Sequence, residues 1–244
     1  EVSHDSSKHA KSISFKDMGK SIASNPQLLL VLIFDFLKLI GYYTLMATVA
    51  YYAKVVLQDE AAMSIILVVF NVGALVGSLI SKNVVAKLGS KMTNIVGVLG
   101  FAVCLVVIYV MPANMMIVTV LLGIAQIFFG ISYGNTTSLY SNCGTYSEYK
   151  TGKNTKAVIM SFSSLAIKIS IAVRGIVITS VLSAVGYHAD AAITSSTVSG
   201  IKILCLVVPI IFLVVSIIPL LGYKIKDSDI AIMEKELQER ESLN

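Results

Sequence analysis

Lys168 lies about eleven residues into an apolar run that begins near residue 157, and at about 1.5 Å per residue that depth is close to the middle of a bilayer. An ammonium group there is too deep to reach either surface comfortably, so it needs water, a carboxylate or a ligand. Ser161, Ser164 and Gly175 share its helical face. As a donor, Lys168 suits sugar hydroxyls or a uronate, or it can respond to a coupling cation. The competing reading is a structural pair with a carboxylate on another helix. Arg174, six residues on, falls on a different face nearer the outer surface, where its side chain can snorkel.

A second set lies in the preceding apolar run. Gln126, Gly130, Tyr133, Thr137 and Tyr140 recur every three or four residues and form one helical stripe, with Asn135, Thr136 and Ser138 adding polarity nearby. Amide, hydroxyl and phenol groups in one line suit a polyhydroxylated ligand, with tyrosine rings stacking on sugar faces. The alternative is interhelical adhesion, for which membrane helices use the same residue types. Asp35 and Lys38, one turn apart in the first apolar run, neutralise each other most simply within their own helix, with gating or ligand contact as the second reading. Tyr42 and Tyr43 follow closely, while Tyr51 and Tyr52 read as interfacial anchors. Asn71 with Gly73 and Gly77 is equally compatible with close helix packing. The candidates for substrate binding are thus Lys168, Tyr133, Gln126, Thr137, Asn135 and Ser164. Those for gating or coupling are Asp35, Lys38, Glu148 and Arg174.

The elements that must position these residues follow from composition. Hydrophobic residues make up 56% of the 244-residue chain and charged residues 14%, against about 25% charged in soluble domains. Too few polar side chains exist to clothe a soluble surface. The apolar residues fall in runs long enough to cross about 30 Å of hydrocarbon, and helices satisfy their own backbone there. The fold class is an all-α membrane protein with six spans, near 28–53, 62–81, 93–111, 115–140, 157–185 and 201–223. A polar segment over 1–27 precedes them, and an amphipathic tail over 224–244 follows, with Ile230, Met233 and Leu237 on one face, suited to lying on a membrane surface. Pro112-Ala113-Asn114 is too short for anything but an antiparallel connection.

Several functions are excluded. His4, His9 and His188 lie far from any cysteine or carboxylate cluster, and no nucleophile–base pair or phosphate-cradling glycine loop occurs, so enzymatic activity, a metal site and a resident cofactor are not expected. Cys104, Cys143 and Cys205 are widely spaced, two of them within apolar runs, which argues against a disulfide framework. The net charge of +5 has no aromatic interleaving of the kind single-stranded nucleic acid requires. Instead the charge reports topology. Fourteen of the 19 Lys and Arg residues belong to the N-terminal segment, the connections at 82–91 and 150–156, and the tail. The opposite side has Lys54 and Lys202 with Asp59, Glu60 and Asp190. The positive-inside rule then places both termini in the cytoplasm, and an even number of spans agrees by putting both on one side.

Two motifs carry a family resemblance. Ala86-Lys87-Leu88-Gly89-Ser90-Lys91 resembles the basic, glycine-containing loop of major facilitator transporters, without its usual acidic residue. Tyr146-Ser147-Glu148-Tyr149-Lys150-Thr151-Gly152-Lys153, followed in order by Ser161-Phe162, Lys168, Gly175 and Gly186-Tyr187, is similar to the glycoside-pentoside-hexuronide:cation symporters, the melibiose-permease-like branch. The tail around Glu236-Leu237 and Arg240 also resembles that family, and the likeness spans nearly the whole chain. The resemblance implies the C-terminal half of a cytoplasmic-membrane symporter. Such a protein moves a small glycoside, pentoside or hexuronide with Na⁺ or H⁺ by alternating access. It also implies a partner, an N-terminal six-helix half bearing the main cation-binding aspartates, and it puts Lys168 near the substrate and cation region. Asn142 and Thr145 depart from the family's Asp-x-x-Asp-Tyr pattern. Alternatives are a self-pairing six-helix transporter, and a non-transporting membrane scaffold or sensor derived from one.

Overall fold

The computed structural model describes residues 25–59, 61–187 and 193–242, all of the secondary structure being helical. The segment 1–24 with His4 and His9, together with Glu60, His188 and Asp190, lies outside the described residues. Helix α1 (Pro26–Tyr51) begins on an Asn25 cap whose side chain accepts the Leu28 N–H, with proline at the first helical position, and it continues into a π-helical turn over Tyr52–Leu57. Helix α2 (Ala62–Val110) is followed by α3 (Met115–Thr151), α4 (Lys156–Ala184) and α5 (Ser195–Lys202). A second π turn over Ile203–Val207 joins α5 to α6 (Val208–Leu221), and α7 (Asp227–Ser242) closes the chain.

Five of these helical stretches are apolar enough to cross a membrane, and the 49-residue α2 supplies two crossings. Its break is at Gly89, where φ is 77° and ψ 163°, a left-handed backbone that only glycine adopts at no steric cost. The expected loop over 82–91 is therefore a one-residue break between limbs 62–88 and 90–110. The polar residues there had pointed to a longer connection, yet Lys82, Lys87 and Lys91 sit on helix ends. Helix α3 likewise runs eleven residues past the expected end at 140, so the Tyr146–Lys150 motif is helical rather than loop. Its polar side chains are accommodated because they pack against α7 instead of lipid.

Helix α3 is clamped between the two limbs of α2, the most extensive helix–helix contact in the bundle. The approach is close enough that a Cβ added at Gly77 would meet the Ile127 carbonyl at 2.1 Å, and one at Gly130 would meet the Ala74 carbonyl at 2.3 Å. Small residues thus let two backbones touch where lipid offers no hydrophobic drive to associate. Gly73 belongs to this seam, whereas Asn71 is exposed and bonds back to the Leu67 carbonyl of its own helix. Helix α1 packs on α6 and α4. The long apolar stretch of α4 is only 11% buried, so one flank of the bundle is left open.

One end of the bundle gathers the start of α1, the Gly89 break, the end of α3 and the tail. Asn25 donates to the Cys143 carbonyl at 2.9 Å, Gln27 accepts the Lys224 N–H at 2.6 Å, and Tyr149 donates to Glu236 at 2.9 Å. The tail is a helix, as its periodicity implies. Its apolar face is turned into the protein: Ile230 is 7% exposed and Met233 packs on the core.

Candidate substrate-binding face

Polar residues at membrane depth divide into a closed network and an open wall. The network lies between α1, α3 and the second limb of α2. Lys38 Nζ is 3.0 Å from Asp35 Oδ1, and Lys38 is wholly buried. Its ammonium donates to Thr136 Oγ1 at 2.6 Å and lies 4.9 Å from the centre of the Phe34 ring. The other carboxylate oxygen of Asp35 accepts the Tyr140 hydroxyl at 3.0 Å. Thr136 donates back to the Ser132 carbonyl at 2.8 Å, and Ser132 donates to Asn94 Oδ1 at 2.9 Å. Asn94 and Asn135 both donate to the Ser90 carbonyl, at 3.0 and 2.6 Å. A buried charge is tolerated when it is paired and its remaining protons are used, and Lys38 meets both conditions.

The open wall is built on α1, α3 and α4. Tyr42 stacks on Phe129 with ring centroids 3.7 Å apart and planes 4° from parallel, and Phe129 stacks in turn on Tyr133 at 5.6 Å. Tyr43 leans on Tyr42 at 5.3 Å, and the Arg174 guanidinium sits 5.8 Å from the Tyr43 ring centre. Arg174 is therefore drawn against an aromatic cluster rather than out to a surface, the cation being attracted to the ring quadrupole. Tyr42, Tyr43, Ala74, Ser78, Phe129, Gly130 and Tyr133 line a cavity of about 250 Å³. Tyr133 is 45% exposed, and Thr137 is exposed too, as are Ser164 and Lys168 on α4. Among the described residues Lys168 has no carboxylate partner, and α4 itself contains no acidic residue.

The stripe on α3 thus splits. Tyr133 and Thr137 face the open side, whereas Gln126, Gly130 and Tyr140 are buried between helices. Gln126 is fully buried, with both amide atoms lacking a partner among the described residues. Asn135 is buried as well, its amide nitrogen spent on Ser90. The open wall and these two side chains are therefore not one surface, because a stripe spanning about a third of a helix's circumference meets neighbours on both edges. Glu148 is half-buried on the last turns of α3, near the tail and away from the aromatic cluster. Reading residues alone missed Asn94, Ser132 and Phe129. Phe129 at four residues before Tyr133 was a visible signal, but Asn94 acquires its role only once α2 folds back on α3.

Six crossings with a break at a basic, glycine-containing turn define a multi-pass membrane protein. The sequence profile of MFS/sugar transport proteins matches residues 2–227, and the chain belongs to that family. The family comprises transporters, not enzymes. The chain is 25% identical to the Uncharacterized symporter YjmB of Bacillus subtilis strain 168, over 93% of this chain and 50% of that protein. It is 26% identical to the Isoprimeverose transporter of Lactiplantibacillus pentosus, over 88% and 45%. It is 24% identical to the Glucuronide carrier protein homolog of Escherichia coli K12, over 92% and 50%. The chain spans about half the length of the curated relatives it matches.

Proposed function

We propose that this chain is the C-terminal half of a cation-coupled symporter for a small glycoside, pentoside or hexuronide, working by alternating access. The observation that carries the reading is Lys168, exposed at membrane depth and without a carboxylate partner among the described residues, in a bundle that also exposes Tyr133, Thr137 and Ser164. An intramembrane ammonium without a partner is costly, and a second six-helix half facing this wall would supply water, a carboxylate or substrate to satisfy it. The aromatic notch of about 250 Å³ is smaller than the roughly 300 Å³ at which small-molecule pockets begin, as expected of one wall of a two-walled cavity. In this reading Tyr133 stacks on a sugar face, Lys168, Thr137 and Ser164 bond its polar groups, and Arg174 with Tyr43 flanks the entry. Gln126 and Asn135 shape the wall from behind.

Asp35 and Lys38 then serve coupling indirectly, by fixing the position of α3 against α1, and Glu148 belongs to the cytoplasmic end. The coupling ion is Na⁺ or H⁺. The membrane is the cell membrane, with the lysine-rich end in the cytoplasm. Relatives named as an isoprimeverose transporter and a glucuronide carrier homolog favour a glycoside or uronide as substrate.

The test is uptake of radiolabelled glycosides and glucuronides into vesicles under an imposed Na⁺ or H⁺ gradient. One preparation holds this chain alone and another holds it with a six-helix N-terminal half. Gradient-driven accumulation only with both halves is the expected result. Accumulation by the chain alone would replace the half-transporter reading with a self-pairing one.

A further inference from the structure

A second cavity, of about 470 Å³, shares no residue with the aromatic notch. It lies at the tail end of the bundle, between the Gly89 break and the linker from α6 to α7, lined by Leu88, Lys91, Met92, Ile225 and the lysines 224 and 226. Asp227 also borders it, but that carboxylate is occupied: Oδ2 accepts the Ser90 N–H at 2.7 Å and Oδ1 accepts Asn142 at 2.9 Å. Lys91 donates to the Leu221 and Tyr223 carbonyls, each at 2.8 Å, which leaves the third proton of its ammonium. Lys224 and Lys226 are exposed, and their ammonium groups have no carboxylate partner among the described residues. The cavity is therefore cationic on balance, with three lysines set against one aspartate whose oxygens are already hydrogen-bonded.

Two apolar rails lead away from this basic mouth. On the second limb of α2, Met92, Val96, Leu99 and Val103 are exposed at spacings of four, three and four residues, and α6 exposes Ile218 and Leu221 beside it. The two helices pack together, and the rails contain no polar side chain. A cationic head site at the end of exposed apolar helix faces is the complement of an anionic amphiphile. A free phosphate would use the lysines and leave the rails without purpose. A zwitterionic headgroup would bring its own cation against Lys224 and Lys226.

We propose that this cavity is a binding site for one anionic phospholipid. Its phosphate lies between Lys224 and Lys226 within reach of Lys91, and its acyl chains follow the rails of α2 and α6. Because the site joins the α6–α7 linker to the Gly89 break, a bound lipid would hold the tail against the bundle. The inference does not depend on which solute the protein carries.

The test is native mass spectrometry of the full protein in detergent, equilibrated with phosphatidylglycerol, phosphatidylcholine or sodium phosphate. A retained phosphatidylglycerol adduct is expected, undisplaced by phosphate, with affinity falling at least about tenfold in K224Q/K226Q. The matched variant K82Q/K153Q removes the same charge from exposed lysines at the same end and should keep the adduct. Equal loss in both variants would mean diffuse attraction and overturn the site. So would equal retention of phosphatidylcholine, or displacement of the lipid by phosphate.

Discussion

The closed network around Lys38 and the open wall around Lys168 contain the same kinds of residue at comparable depth, yet they are in opposite states. Lys38 has a carboxylate at 3.0 Å, a hydroxyl at 2.6 Å and an aromatic face at 4.9 Å. Lys168 has none of these among the described residues. Of these two lysines, one is thus satisfied within its own bundle, where it fixes helix positions, and the other is left for something outside the bundle. In the proposed reading the first region serves stability and the second transport, and the division can be broken experimentally from either side.

The largest effect is expected at Asp35. Asp35→Ala leaves the buried Lys38 ammonium without its counter-charge, and breaking one partner of a buried pair costs about 3–5 kcal/mol. Thermal unfolding in detergent should show a large drop, and the paired replacement Asp35→Leu with Lys38→Met should recover much of it. If the single variant melts normally but loses transport, the network is itself part of the transport site and the division between the regions fails.

Lys168→Ala should do the reverse. We expect gradient-driven uptake by the intact transporter to fall by about 100-fold or to lose its cation dependence, an interaction of about 2–3 kcal/mol, while the melting temperature hardly changes. Unchanged uptake with normal cation dependence would remove Lys168 from the mechanism.

How much of this contrast the residues disclose in advance depends on which neighbours decide it. The six crossings follow from hydropathy alone, since span length is a property of one segment. The Asp35–Lys38 pair follows from its three-residue spacing. The splitting of the α3 stripe does not, because Gln126 and Tyr133 share a helical face and differ only in what packs beside them: the glycine seam of α2 at Gly73 covers one, and the other is left 45% exposed. The extension of α3 to Thr151 was hidden for a related reason. Tyr146, Ser147 and Glu148 look like loop residues until a tail helix is placed against that end.

A smaller effect tests the open wall more finely. Tyr133→Ala should weaken sugar affinity about tenfold, in line with a stacking contribution of roughly 1–1.5 kcal/mol, and leave maximal transport nearly intact. Tyr51→Ala is the reference. Its ring meets Tyr187 edge-on at 5.5 Å at the far end of the bundle, so it should change membrane insertion more than affinity. Equal effects of the two substitutions on sugar affinity, measured by equilibrium binding, would show that the aromatic cluster is not the sugar platform.

The smallest effect concerns the tail. Asn142 and Thr145 each face a carboxylate: Asn142 donates to Asp227 at 2.9 Å, and Thr145 lies 3.5 Å from Glu234. A neutral donor at Asn142 lets Asp227 keep its bond to the Ser90 N–H, which caps the second limb of α2. Asn142→Asp replaces that donor with a like charge, so α7 should loosen at a cost of about 1 kcal/mol. Hydrogen exchange of the α7 amides reports it directly. The added substitution Asp227→Asn restores a donor–acceptor pair in the opposite sense and should restore part of the protection. Faster exchange that Asp227→Asn fails to reverse would mean that position 142 acts through packing rather than charge.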